Sequence, residues 1–354
     1  MKHLELFSGI GGFRYALDLF HRDTGVPVEC VGYSEIDIKA KTTYRSNFNI
    51  SKEEIDLGDI VIFNTVKSNI ENLPNFDLLT AGFPCQSFSM MGKQLGFEDN
   101  RGNLFFEILQ ILKLKKPKYI LLENVKNLFN HDKGQTFQII KQSLEDLGYN
   151  IFFDIFNTNK FHLAQIRNRV IIFGILDSEV SLNFSSEKIS TFFDEIVDIS
   201  SVKKQQTVLD VLQKEVLLKY FLSEKIKPTI LSDGSGKFKA NSEINKLQAR
   251  PLTASMHKMH RACQDNYYSL DFILTNAKID SSKILTKEEL AKESIRRLTP
   301  EEAFELQGFP ADFCIKARKE KVSDGSLYKQ AGNAISVNVI YAILRYLYNE
   351  NIFK

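Results

Sequence analysis

At 354 residues, with 43% hydrophobic and 25% charged side chains, the chain has an ordinary globular composition and length for one large domain plus a smaller one. A formal net charge of +2 excludes a global field that draws nucleic acid, and four scattered cysteines without a CxxC pair exclude a disulfide framework or a zinc knuckle. No long apolar run or secretory leader is visible, so no membrane partner is expected and a reducing cytoplasm is the expected location. Leu4 to Phe7 reads as a short strand that enters a glycine-rich turn, and Gly12 to Phe20 as a helix. Strands are predicted again at Val28–Tyr33, Phe76–Ala81, Tyr119–Leu122, Ile151–Phe156 and Val170–Ile175. Helices are predicted between them at Asp37–Phe48, Leu104–Leu114 and Gln135–Leu147. Strands separated by helices of about ten residues predict βαβ units and a doubly wound, mostly parallel sheet.

After about residue 178 the pattern changes. Ser181–Thr207 is polar and weakly periodic, and Ser232–Asn245 is rich in Gly, Ser, Asn and Lys, as in a second domain with loops. Helical periodicity returns at Pro300–Gln307 and Ala334–Tyr348. Between Lys225 and Arg261 stand eight Lys/Arg against Asp233 and Glu243, a local +6 that leaves −4 for the rest. That asymmetry suits a polyanion-binding face, and a solvated basic loop is the plain alternative. His257 and His260 stand three apart on a possible helix, with no cysteine or acid completing a metal set; no metal is expected.

Five local patterns carry chemistry. The turn Phe7-Ser8-Gly9-Ile10-Gly11-Gly12-Phe13 joins the first strand to the first helix as GxGG, where backbone can approach a ligand closely. Glu35, ending the second strand, can accept hydrogen bonds from ribose hydroxyls, and Asp59 can receive an adenine amino group. Each acid alone could equally be a helix cap or a surface charge; in this order they favour an adenosine cofactor. The run Ala81-Gly82-Phe83-Pro84-Cys85-Gln86-Ser87-Phe88-Ser89 breaks a buried strand and presents one thiol at the mouth of the sheet, a candidate nucleophile or else a small buried cysteine. Glu123, closing the strand Tyr119–Leu122, implies a partner or a catalytic task. Arg167 and Arg169, two apart before the next strand, are expected on one face, able to orient a carboxylate or pin an anion.

Phe83-Pro84-Cys85-Gln86, Glu123-Asn124-Val125 and Gln165-Ile166-Arg167-Asn168-Arg169, in this order, resemble the C5-cytosine DNA methyltransferase family, most closely its bacterial restriction-modification type. The run from Gly92 to Glu107 is similar to that family, as are Arg297-Leu298-Thr299-Pro300-Glu301-Glu302, Gln307-Gly308-Phe309-Pro310 and Gln330-Ala331-Gly332-Asn333. The resemblance covers residues 4–176 and about 296–345. It implies an S-adenosylmethionine-dependent methyltransferase fold of residues 1–180 plus 315–354, with a target-recognition domain inserted over 181–314. It also implies double-stranded DNA as substrate, a partner restriction endonuclease and a monomeric enzyme.

By the same resemblance Cys85 attacks C6 of a flipped cytosine, Glu123 holds N3 and the exocyclic amine, and Arg169 places the pyrimidine with support from Arg167. The S-adenosylmethionine contacts fall on Phe7, Gly9, Gly11, Gly12, Glu35, Ile36, Asp59, Ile60, Pro84, Leu104 and Asn333. Residues from Gln86 to Asn103, Arg101 included, read as a lid over the extruded base, with Ser87 or Ser89 touching the backbone or filling the vacated space. Where family members carry a threonine that holds the flipped nucleotide's phosphate, this chain has Pro251, and Thr253 or Arg250 is left to substitute. His257, Lys258, His260 and Arg261 supply phosphate and base-edge contacts, unless they line a plain exposed helix. Three other readings stand beside this one. A tRNA cytosine methyltransferase uses the same chemistry, and the long variable region argues against it. A nicotinamide oxidoreductase leaves Pro84-Cys85-Gln86 unexplained. A catalytically silent DNA-binding protein would not need Cys85, Glu123 and Arg169 together.

Overall fold

The computed structural model describes residues 1–84, 104–234, 239–277 and 286–353. Its main sheet comprises β1 (Lys2–Leu6), β2 (Glu29–Ser34), β3 (Ile55–Gly58), β4 (Leu78–Gly82), β5 (Tyr119–Val125), β6 (Tyr149–Asn157) and β7 (Asn168–Leu176), in the order β3-β2-β1-β4-β5-β7-β6. β1 pairs in parallel with β2 and β4, as do β2 with β3 and β4 with β5. β7 alone runs antiparallel to its neighbours β5 and β6. The link Thr158–Arg167 explains this: it is too short for a crossover, which needs roughly a dozen residues or more. The expected doubly wound, mostly parallel sheet is therefore present with one reversed strand.

Strand interiors are near-continuous apolar runs because helices cover both faces. Leu4, Leu6, Leu79, Ala81, Ile120 and Leu122 join one core with Phe105, Ile108, Ile111 and Leu112 of the helix Leu104–Lys115. The sequence gives no clear sign of β3 and the helix Ile60–Asn64, because the alternation in Ile55-Asp56-Leu57-Gly58 lasts only four residues and the helix only five. The stretch 181–207, expected to be loops, contains the helix Ser186–Ile196.

Central β1 carries two polar residues in full burial. His3 Nε2 lies 2.6 Å from Thr80 Oγ1 on β4, and the Tyr44 hydroxyl donates to Glu5 at 3.2 Å. Burial lowers the His3 pKa to about 3, with Arg14 adding to the effect, and raises that of Glu5 to about 8 against the opposing pull of Arg14. Arg14, on the helix Gly12–Thr24, grips both oxygens of Glu54 at 2.5 and 3.1 Å and the carbonyl of Asn49 at 3.2 Å.

The chain divides into two compact units. One comprises Met1–Asn157, Asn168–Val202 and Val339–Lys354; the other comprises Thr158–Arg167 and Lys203–Asn338. In the second, β8 (Tyr267–Ser269) pairs antiparallel with β9 (Ile295–Arg297) beside a core of Leu222, Ile230, Leu231, Ala262, Tyr267 and Ile295. Arg296 and Glu302, both 0% exposed at the side chain, form a bidentate pair at 2.7 and 2.8 Å. Glu302 also accepts from the backbone amides of Thr299 and Gln213, which closes the capping box of the helix Pro300–Glu305. Among the described residues no helix is long and apolar enough to cross a membrane.

Candidate active site

The order of strands reverses at β1, which has β2 on one side and β4 on the other. Ligands of such sheets bind beyond the carboxyl ends of the strands at that reversal. The turn after β1 is built for close approach. Phe7, Gly9 and Gly11 all have positive φ, at 54°, 56° and 86°. A methyl group on Gly11 would lie 2.2 Å from Cε2 of Phe48, so only glycine fits there. Ser34, ending β2, holds the turn by accepting from the Phe7 amide at 3.2 Å and the Ser8 amide at 2.9 Å. The helix Gly12–Thr24 then starts directly from left-handed Gly11.

Glu35 stands next to this turn. One carboxylate oxygen accepts from the Gly9 amide at 2.8 Å and the other from the Asp37 amide at 2.7 Å. Ile36 beside it is 72% exposed, an apolar surface open to a flat ring. Asp59 caps the helix Ile60–Asn64 through the Val61 amide at 2.9 Å. The Ile60 side chain is buried in the sheet core, which leaves its main chain as the part able to face a ligand. Leu104 is half-buried against the same core and Pro84 is exposed. Open space where a Gly9 side chain would stand, an anchored carboxylate and an exposed isoleucine suit an adenosine-bearing donor. Asn333 ends the helix Asp324–Asn333 in the second unit and is exposed.

The antiparallel direction of β7 brings its first residues to the edge where β5 ends. Val125 pairs with Arg169 and Glu123 with Ile171, so Arg169 and Glu123 share a face. Arg169 Nε meets Glu123 Oε1 at 2.8 Å, with both side chains partly accessible. Across the other edge of β5, Glu123 pairs with Gly82 of β4. Asn124, to which the sequence assigns no separate role, is buried; its Nδ2 donates to the Phe83 carbonyl at 2.8 Å, and its Oδ1 accepts from the Val125 amide. That amide fixes the Phe83-Pro84 exit from β4. The signal for it in the sequence is an asparagine directly after the glutamate that closes an apolar strand, where a buried amide must find partners. Cys85 lies one peptide beyond Pro84; it, Gln86, Ser87, Ser89 and Arg101 are outside the described residues.

Arg167 does not share a face with Arg169. It is 2% exposed and belongs to the second unit, where Nη1 donates to the Leu252 carbonyl at 2.8 Å and Nη2 to those of Gly332 and Ala334 at 3.0 and 3.1 Å. A guanidinium committed to main-chain carbonyls acts as a brace, which suits the supporting part expected of Arg167 and not direct contact with the base. Thr253 is exposed, with its hydroxyl 3.5 Å from Ser255 Oγ. Arg250 turns to the Glu243 carbonyl at 3.1 Å and its carboxylate at 3.6 Å. His257 and His260 are not on a common helix, since the 3-10 turn Met256–Lys258 ends between them. Lys258 is exposed and Arg261 half-buried. Asp265 lines a small cavity with Asn266, Tyr267, Arg297 and Tyr328, and burial pushes its pKa up to about 6.

The reversed seventh strand, the glycine turn and the anchored acid after β2 define a methyltransferase-type α/β protein. Residues 1–349 match the model of the C-5 cytosine-specific DNA methylase family, and the chain belongs to that family. It is 37% identical over 342 residues to the type II methyltransferase M1.ScrFI of Lactococcus lactis subsp. cremoris, covering 97% of this chain and 76% of that protein. It is 36% identical to M.SsoII of Shigella sonnei, over 97% of this chain and 78% of that protein. Among solved structures, the Dnmt2 methyltransferase of S. pombe superposes with a TM-score of 0.72 at 22% identity, over 99% of both chains, which shows a shared fold. The protein is a DNA cytosine-C5 methyltransferase and S-adenosylmethionine is its methyl donor.

Proposed function

We propose that the protein methylates one cytosine within a short duplex sequence through a thioether at C6, as the modification half of a restriction-modification system. Cytosine C5 is a poor nucleophile, and addition of the Cys85 thiolate to C6 places electron density on it. S-adenosylmethionine supplies an electrophilic methyl on a sulfonium. Glu123 holds N3 and the exocyclic amine and stabilises the charge that gathers in the ring, and Arg169 seats the pyrimidine and steadies Glu123. Once the C5 proton has left, the C6–S bond breaks, and Cys85 recovers its electron pair while the ring regains aromaticity. Phe7, Gly9, Gly11, Gly12, Glu35, Ile36, Asp59, the Ile60 amide, Pro84, Leu104 and Asn333 bind the donor. Gln86, Ser87, Ser89, Arg101, Arg250, Thr253, His257, Lys258, His260 and Arg261 meet the DNA.

In this reading residues 1–180 and 315–354 carry the chemistry and residues 181–314 read the target. The enzyme acts as a cytoplasmic monomer and guards its host's DNA from a paired endonuclease. The observation that carries the reading is the 2.8 Å Glu123–Arg169 contact beside the strand that leads to Cys85. Cys85→Ala should abolish transfer of labelled methyl groups to duplex DNA and leave duplex binding within about threefold. Sustained turnover by that variant would refute the covalent route.

A further inference from the structure

The second unit contains a small framework whose parts converge on one stretch of main chain. Ala164–Arg167 lies alongside Ala249–Leu252: the Ala249 amide donates to the Ala164 carbonyl at 2.8 Å and the Ile166 amide to the Ala249 carbonyl at 2.9 Å. Side chains extend this pairing where the main chain stops. Gln165, fully buried, accepts from the Leu252 amide at 2.8 Å and donates to the Leu306 carbonyl at 3.0 Å. Arg167 takes the Leu252 carbonyl, so both polar groups of Leu252 are held by side chains of one short loop. The other arm of Arg167 holds the Gly332 and Ala334 carbonyls. Gly332 presses directly on the next residue: a methyl group there would lie 2.2 Å from the Thr253 carbonyl carbon and 2.4 Å from the Ala254 amide nitrogen. Thr253, in the middle of this clamp, is exposed.

We propose that Gln165 and Arg167 are positioning residues for DNA: they clamp Leu252 from one side while Gly332 supports Thr253 from the other, so the Thr253 hydroxyl is presented to a backbone phosphate. This rests on the DNA-methylating function proposed above, and it assigns to Thr253 the phosphate contact that Pro251 cannot make. A planar guanidinium reaches three carbonyls in two directions at once, which a lysine ammonium at the end of a flexible stem cannot reproduce. A hydroxyl on a free loop would lose orientational freedom at each encounter; one on a clamped loop has lost it already.

The test compares wild type, Arg167→Lys, Gln165→Met, Thr253→Ala and the Gln165→Met/Thr253→Ala double variant. Steady-state methylation of a duplex substrate is measured together with donor affinity in the absence of DNA. The expected result is a rise of about tenfold in the KM for DNA for each single variant, with donor affinity within about twofold of wild type for Gln165→Met and Thr253→Ala. The double variant should be no worse than the weaker single, because both changes remove the same presented hydroxyl. Additive losses in the double variant, or an Arg167→Lys enzyme with unchanged KM for DNA and reduced kcat, would overturn the clamp. If Arg167→Lys melts below the assay temperature, the Gln165/Thr253 cycle decides alone. A wild-type protein that methylates no duplex DNA would sink the functional reading instead, which keeps the two failures apart.

Discussion

At the scale of single residues, the two polar side chains on β1 give the protein a pH dependence of opposite signs. Glu5, with a folded pKa of about 8 against an ordinary 4.5, holds a proton in the native state that the unfolded chain releases. Its contribution is present below pH 4.5 and is lost as pH rises toward 8. His3, lowered to about 3 from 6.5, contributes above pH 6.5 and loses that contribution as pH falls toward 3. Between pH 6.5 and 8 only Glu5 of this pair is changing, so stability should decline there with a slope of at most about 1.4 kcal/mol per pH unit. Glu5→Gln should flatten that decline in chemical-denaturation curves collected across the window. An equal slope in the variant would show that another group titrates.

At the scale of elements, the exit from β4 depends on β5. Phe83 turns its carbonyl to Asn124, and the same asparagine closes onto the Val125 amide, so one side chain couples the end of the glutamate strand to the Phe83-Pro84 step that precedes Cys85. Asn124→Ala leaves a buried carbonyl without its donor, at roughly 1–3 kcal/mol. The expected outcome is a fall in kcat of at least about tenfold with the KM for the donor little changed. Single-turnover methylation separates this from slow product release, and a kcat at the wild-type value would mean that the exit from β4 does not depend on Asn124. The reversed β7 is the second element-scale device. A parallel strand there would begin at the opposite edge and carry Arg169 away from Glu123.

At the scale of the molecule, the chain divides into two compact units. The buried Arg296–Glu302 pair belongs to the second, where it ties β9, the capping box and Gln213 together. Losing one partner of a buried pair strands the other charge, typically at about 3–5 kcal/mol. Glu302→Ala should therefore lower the unfolding temperature of the second unit and the affinity for DNA. Donor binding, read by calorimetry without DNA, should persist. Parallel loss of donor and DNA binding would mean that the donor site depends on the fold of the second unit, which carries Asn333.

The sequence by itself determined the alternation that produces the sheet, because buried parallel strands are written as apolar runs and glycine turns as breaks. Leu4–Phe7, the GxGG turn, Glu35 and Glu123 were legible on those grounds, and the family followed from the order of the motif blocks. Tertiary structure alone decided the direction of β7, the separate duties of Arg167 and Arg169, the buried place of Ile60 and the coupling made by Asn124. Each depends on which neighbour a side chain or strand meets across the fold. Residue spacing along the chain cannot encode that choice, because two arginines set two apart look alike until one finds a carboxylate and the other three carbonyls.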